Sequence, residues 1–201
     1  LPGVAQIQVN EKAGVTFAAA LRSILRQDPD IIMIGEMRDY ETAHIGVQSS
    51  LTGHLVLSTL HTNDSVGAIV RLIDMGIEPF LAASSMIGTV AQRLVRKVCP
   101  KCGEKSSDVP ALLARQGVRA VWRGRGCDYC MNTGYRGRVG LYEQFLVTEE
   151  IREAIAESKQ ASALREMARK SGFRTLWEIG LDAVARGLTT PEELARVAGD
   201  E

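Results

Sequence analysis

Several features are missing from this 201-residue sequence, and each absence narrows the field. No window of about eighteen residues is free of polar interruption, because Ser, Thr, Gln and His break every apolar stretch. A membrane-crossing helix is therefore excluded. There is no internal repeat, no low-complexity tract, and no net charge of either sign, with 24 basic and 24 acidic residues. Aromatic residues are scarce at 5%. The N-terminus, Leu1-Pro2-Gly3-Val4, has no basic-then-apolar leader and no initiator Met. A reducing compartment and a piece of a longer chain are the expectations that follow. What remains is ordinary for a globular protein: 45% hydrophobic and 24% charged residues, enough for one substantial core and a small appendage.

The balanced charge hides a pattern. Residues 1–92 carry a net of −4, residues 93–138 a net of +8, and residues 139–201 a net of −4. A compact basic middle fits a local anion-facing surface or a small module kept soluble by Arg and Lys. Residues 93–138 hold only Trp122, Tyr129 and Tyr135 as aromatics. Basic surfaces that read single strands interleave more, so no nucleic acid partner is expected.

All four cysteines lie in that middle, as Cys99-Pro-Lys-Cys102 and Cys127-Asp-Tyr-Cys130, with 24 residues between the pairs. Two C-x2-C knuckles supply the four thiolates of a closed tetrahedral zinc site, each sulfur about 2.3 Å from the metal. Two disulfides or four unrelated thiols are the competing readings, and a reducing compartment disfavours the first. A site with four thiolates has no open position. Its Zn2+ would hold a fold and do no chemistry.

Along the chain, Ala5–Asn10 alternates like a short strand. Thr16 can cap a helix to about Arg26, with Phe17, Ala20, Leu21, Ile24 and Leu25 on its apolar face and Arg22 and Arg26 opposite. Asp28-Pro29-Asp30 ends it. Ile31–Ile34 is a continuous apolar run, the pattern of a parallel strand buried on both faces. It leads into Gly35-Glu36-Met37-Arg38-Asp39. Asp39 caps a helix to about Ser50, a strand follows over Leu55–Leu60, and Asp64 or Ser65 opens a helix closed by Gly76. The strand–helix–strand–helix order makes an α/β core whose strands deliver polar residues to one edge. An apolar helix from about Phe80 then leads to Gln92–Arg96. Beyond the second knuckle, Val139–Val147 reads as a strand. The rest is helical, with Thr148 and Thr190-Pro-Glu-Glu193 as caps, the latter a capping box.

Glu36 is the first candidate for chemistry. A carboxylate at the carboxyl end of a central parallel strand points into the crevice where such sheets bind ligands. It could orient water at a phosphoryl centre or bind Mg2+ through water. A strand-ending Glu paired with Arg38 is the plainer reading. His54 and His61 stand seven apart at the two ends of the next strand, so they have different jobs. His61 reaches the ligand edge.

The string from Leu21 to Asp39, containing Ile-Ile-Met-Ile-Gly35-Glu36, closely resembles the Walker B region of the secretion-type motor ATPases. These are ring-forming P-loop NTPases of type II secretion and type IV pilus assembly. Leu51–Asn63 resembles their His box. The paired knuckles resemble the tetracysteine insert of the secretion and pilus-extension members, and Asn132–Arg138 with Gly140–Glu143 resembles the segment after it.

The resemblance implies a partial RecA-like α/β core over residues 1–98, a zinc module over 99–138, and a strand with a helical subdomain over 139–201. It makes Glu36 the catalytic glutamate, His54 and His61 the His-box residues, and Arg22, Arg26 and Arg138 arginines near the nucleotide or in a neighbouring subunit's site. It also implies ATP, Mg2+ and Zn2+, a homo-hexamer, and inner-membrane platform and assembly proteins as partners. The implied location is cytoplasmic, peripheral at the inner membrane.

One departure is large. A P-loop, G-x4-G-K-[ST], supplies the N–H cradle and lysine for the phosphates, and no such string occurs here. The family's acidic Asp box is missing too. The resemblance places both upstream of residue 1, so these residues alone are expected to bind ATP weakly and hydrolyse none measurably. A non-enzymatic zinc ribbon binding protein or nucleic acid is the alternative, and a regulatory relative without a P-loop a third possibility. The ribbon needs neither a Gly-Glu strand end nor a His box.

Overall fold

The computed structural model describes residues 3–199, without the side chains of Glu11 and Leu112. Along the chain run α1 (Phe17–Ile24), β1 (Ile31–Ile34), α2 (Tyr40–Leu51), β2 (Leu55–Ser58), α3 (Gly67–Asp74), α4 (Pro79–Ser85) and β3 (Gly88–Val98). There follow β4 (Gly103–Ser106), α5 (Ala111–Arg115), β5 (Val121–Gly124), β6 (Tyr135–Leu146), α6 (Glu149–Ala156), α7 (Ala161–Arg169), α8 (Leu176–Ala185) and α9 (Pro191–Ala198). These elements form two compact units. One is Leu1–Thr89 with Leu146–Ala168; the other is Val90–Phe145 with Arg169–Glu201. Among the described residues no helix is long and apolar enough to cross a membrane.

In the first unit β1 and β2 pair in parallel, Ile31 with Leu55 through to Ile34 with Ser58. Side chains alternate across a strand, so Ile32 and Ile34 turn inward and are buried. Ile31 and Met33 point the other way and are 62% and 66% exposed, beside exposed Leu55 and Leu57 in register. The expectation of a strand covered on both faces is corrected here, because nothing among the described residues covers that second face. Thr16 caps α1 by accepting from Ala19 N–H, and Asp39 caps α2 by accepting from Thr42 N–H. Gly46 of α2 lets the helix approach β1 closely: a Cβ there would lie 2.5 Å from Met37 Cε and 3.1 Å from Ile34 Cδ1.

Other elements depart from expectation for local reasons. Ala5–Asn10 forms no strand; Asn10 makes a single bridge to Val15, and among the described residues the remainder has no partner strand. The helix after Pro79 stops at Ser85. Gly88 then opens a strand through Gln92–Arg96, where β-branched Thr89, Val90, Val95 and Val98 favour extension. β3 pairs with β6. At Thr190 only half of the capping box forms: its side chain accepts from Glu193 N–H, but the Glu193 carboxylate turns to Arg96 and Arg196.

The second unit has a core built from Val95, Val121, Leu141, Leu176, Val184 and Leu194, all nearly inaccessible to solvent. The cysteines form a separate cluster.

Candidate functional site

The turn after β1 is tied to the end of β2. Met37 N–H donates to Thr59 O at 3.1 Å, and Thr59 Oγ1 donates to Gly35 O at 2.7 Å. These bonds fix the backbone on both sides of Glu36 and bring the ends of neighbouring parallel strands together. The result is a cluster of polar groups: Arg38 Nε lies 2.6 Å from Glu36 Oε2, and His61 Nε2 lies 3.0 Å from the same oxygen. Glu36 is half-buried while Arg38 and His61 are exposed. The Arg38 guanidinium holds the Glu36 carboxyl below its ordinary range; partial burial works the other way, and His61 adds to the lowering. Glu36 is therefore an ionised acceptor at neutral pH, meeting both Arg38 Nε and His61 Nε2 through Oε2.

The other expected residues have different surroundings. His54 sits at the start of β2, opposite in strand sense to His61, with Nδ1 2.9 Å from Ser49 O and 3.3 Å from Thr52 Oγ1. There it closes the end of α2. Arg22 pairs with Glu41 at 2.5 Å, both exposed. Arg26 lies beyond α1, in the 3-10 turn Leu25–Gln27, so the expected unbroken helix carrying both arginines ends sooner. Arg138 is an exposed residue of β6, in the second unit.

The Glu36–Arg38 pair is the plainer reading of the sequence and is present here; what the sequence did not mark is any part for Asp64 beyond a helix start. Asp64 accepts from Gly67 N–H at 2.6 Å and pairs with Arg165 of α7. No local signal links positions 64 and 165.

The cysteine sulfurs all lie within 4.8 Å of one another and none is in a disulfide. Four sulfurs at about 2.3 Å from one centre are about 3.8 Å apart in a tetrahedron. Cys99–Cys127, Cys102–Cys130 and Cys127–Cys130 stand at 3.9, 3.8 and 3.8 Å. The group could hold a metal ion on geometry alone. Burial works against ionisation of Cys130, but the N–H groups of Cys127 and Gly134 donate to its sulfur and bring the thiol down to about 6. A thiolate is the form a metal binds.

The model of the type II/IV secretion system protein family matches residues 1–196. The chain belongs to this family. It is 54% identical over 200 residues to the type II secretion system protein HxcR of Pseudomonas aeruginosa, covering 100% of this chain and 40% of that protein. It is 50% identical over 202 residues to the type IV pilus assembly ATPase PilB of Thermus thermophilus, covering 96% and 23%. The chain thus spans well under half of these relatives. Among solved structures, the pilus retraction motor PilT with bound ADP matches with TM-score 0.65 at 27% identity, covering 92% of this chain and 44% of that one. DotB of Yersinia pseudotuberculosis matches with TM-score 0.68 at 22% identity, over 98% and 43%, and bears on the fold alone. The fold is the α/β fold of these ATPases, with a helical part and a four-cysteine cluster.

Proposed function

We propose that this chain is the catalytic-glutamate part of a hexameric ATPase that drives type II secretion or type IV pilus assembly. The observation carrying this is the Glu36–His61 pair on adjacent parallel strand ends, in a chain of the secretion family. Glu36 acts as general base: it takes a proton from water as the water oxygen bonds to the γ-phosphorus and the bond to the ADP oxygen breaks. His61 steers that carboxylate and senses the γ-phosphate. Arg22, Arg26 and Arg138 act on nucleotide, within a subunit or from its neighbour. His54 contributes by closing the turn that places β2. Mg2+ neutralises phosphate charge when bound. Inner-membrane platform and assembly proteins are the partners, at the cytoplasmic face.

The phosphate grip comes from a P-loop preceding residue 1 in the longer protein. The bare face of Ile31, Met33, Leu55 and Leu57 supports this, since a two-stranded parallel sheet with one uncovered apolar face is incomplete as a nucleotide-binding core. The four cysteines hold one Zn2+ that closes the loop module. The zinc-ribbon alternative is less well supported, because Arg96, Arg123 and Arg125 of the basic segment each pair with a carboxylate.

Phosphate release measured on two chains tests this reading. The 201 residues alone should release none above background. The longer chain carrying the P-loop should turn over, and Glu36→Gln should cut the rate at least about 100-fold while leaving nucleotide bound. Turnover by the short chain that depends on Glu36, or an active long chain indifferent to Glu36→Gln, contradicts it.

A further inference from the structure

The loop from His61 to Val66 has an unequal construction. His61 at its start is 79% exposed, whereas Ser65 and Val66 at its end are 1% and 0% exposed. Four bonds fasten the part between. Thr62 Oγ1 donates to Asp64 O at 3.0 Å, Thr89 Oγ1 donates to Ser65 O at 2.7 Å, and the Asp64 carboxylate is used on both oxygens. Oδ1 accepts from Gly67 N–H at the start of α3; Oδ2 takes the Arg165 guanidinium. The Asp64 side chain is only 13% exposed, while Arg165 is 36% exposed, so the carboxylate end of this pair is the sheltered one.

Capping alone does not call for this arrangement. An Asn at position 64 would accept from Gly67 equally well, but would leave Arg165 without its counter-charge. The charge serves to bind the loop to α7. We infer that Asp64, anchored by Arg165, is a positioning residue for His61: the pair fixes the loop three residues from the imidazole and so sets the His61–Glu36 contact. Neither Asp64 nor Arg165 touches Glu36 in the contacts described above, so they act through the loop. The inference rests on the proposed ATPase reading for its kinetic consequence, but not for its structural one.

In the P-loop-bearing longer chain, Arg165→Ala should lower kcat by roughly ten- to a hundredfold, the cost of misplacing a catalytic group by about 1 Å, with KM for ATP within about twofold. Arg165→Lys should recover most of the rate. Asp64→Asn, which keeps the cap, should reproduce the kcat loss. A wild-type kcat in both Arg165→Ala and Asp64→Asn, or a loss matching only the unfolded fraction, overturns the inference while Glu36→Gln still tests the ATPase reading separately. If the longer chain shows no turnover at all, that reading fails. The 201-residue chain then decides on its own: Arg165→Ala should speed amide exchange at Thr62 and Asn63 at least tenfold and leave β1 and β2 amides unchanged, and equal exchange would refute the positioning role.

Discussion

At the scale of single residues, two carboxylates illustrate opposite uses of the same chemistry. Glu36 meets two exposed groups, Arg38 and His61, and keeps some contact with solvent. Glu193 is fully enclosed: Arg96 and Arg196 saturate it, and the Arg96 backbone N–H adds a bond at 2.9 Å. Arg196 and Arg96 bring its pKa down from 4.5 to about 2, against the opposing effect of burial. Because the folded value lies below the unfolded one, the stability Glu193 contributes is complete above about pH 4.5 and lost as pH falls toward 2. At pH 7 it is about 3 kcal/mol. Trp122 and Trp177, the two tryptophans, both lie in the second unit, so their fluorescence follows its unfolding. The urea midpoint should fall between pH 5 and pH 3, and Glu193→Gln should reduce that dependence, leaving the smaller share of Glu178, Asp182 and Glu192; an unchanged slope would count against the network.

Residue-level legibility followed chain distance. Glu36 and His61 were readable because each ends an apolar run, and ends of neighbouring parallel strands must meet. The Arg22–Arg26 pairing was read from an ideal helix, but the helix tightens into a 3-10 turn before Arg26. Arg165 was invisible because its partner is 101 positions away and nothing in either neighbourhood marks the pair.

At the scale of elements, caps and glycines wrote most of the secondary structure. Thr16, Asp39 and Thr148 each accept the helix N–H expected of them. β1 was placed correctly but its burial was not, since covering a sheet's second face depends on segments outside the strand. The β3 region shows the converse, an apolar stretch after a helix start that extends because its β-branched residues favour a strand.

The knuckle loop gives a sharper test. Gly134 holds φ +76°, and a Cβ there would lie 2.5 Å from Gly124 O. Its N–H also donates to Cys130 Sγ, and its carbonyl accepts from Cys99 N–H at 2.9 Å. Gly134→Ala should therefore cost about 1–3 kcal/mol through strain and overpacking and weaken metal retention, read by zinc content after gel filtration. Wild-type stability and full metal content would show that the two chain segments can separate without cost.

For the whole molecule, the chain divides into two compact units, and α6 and most of α7 belong with the first. The four-cysteine cluster sits in the second, so under the proposed zinc assignment chelation should act there: protein purified without chelator should carry about one zinc per chain, and its removal should lower the tryptophan-reported midpoint strongly. Absence of metal with four reactive thiols would remove the zinc assignment. Family membership and fold tie the chain to secretion and pilus ATPases; the proposal that it works as one depends on where Glu36 lies relative to nucleotide. A structure of the P-loop-bearing chain with a non-hydrolysable ATP analogue measures that directly. The account predicts the Glu36 carboxylate one water molecule from the γ-phosphate, with His61 beside it. A bound triphosphate with Glu36 turned away and still tied to Arg38 would contradict it.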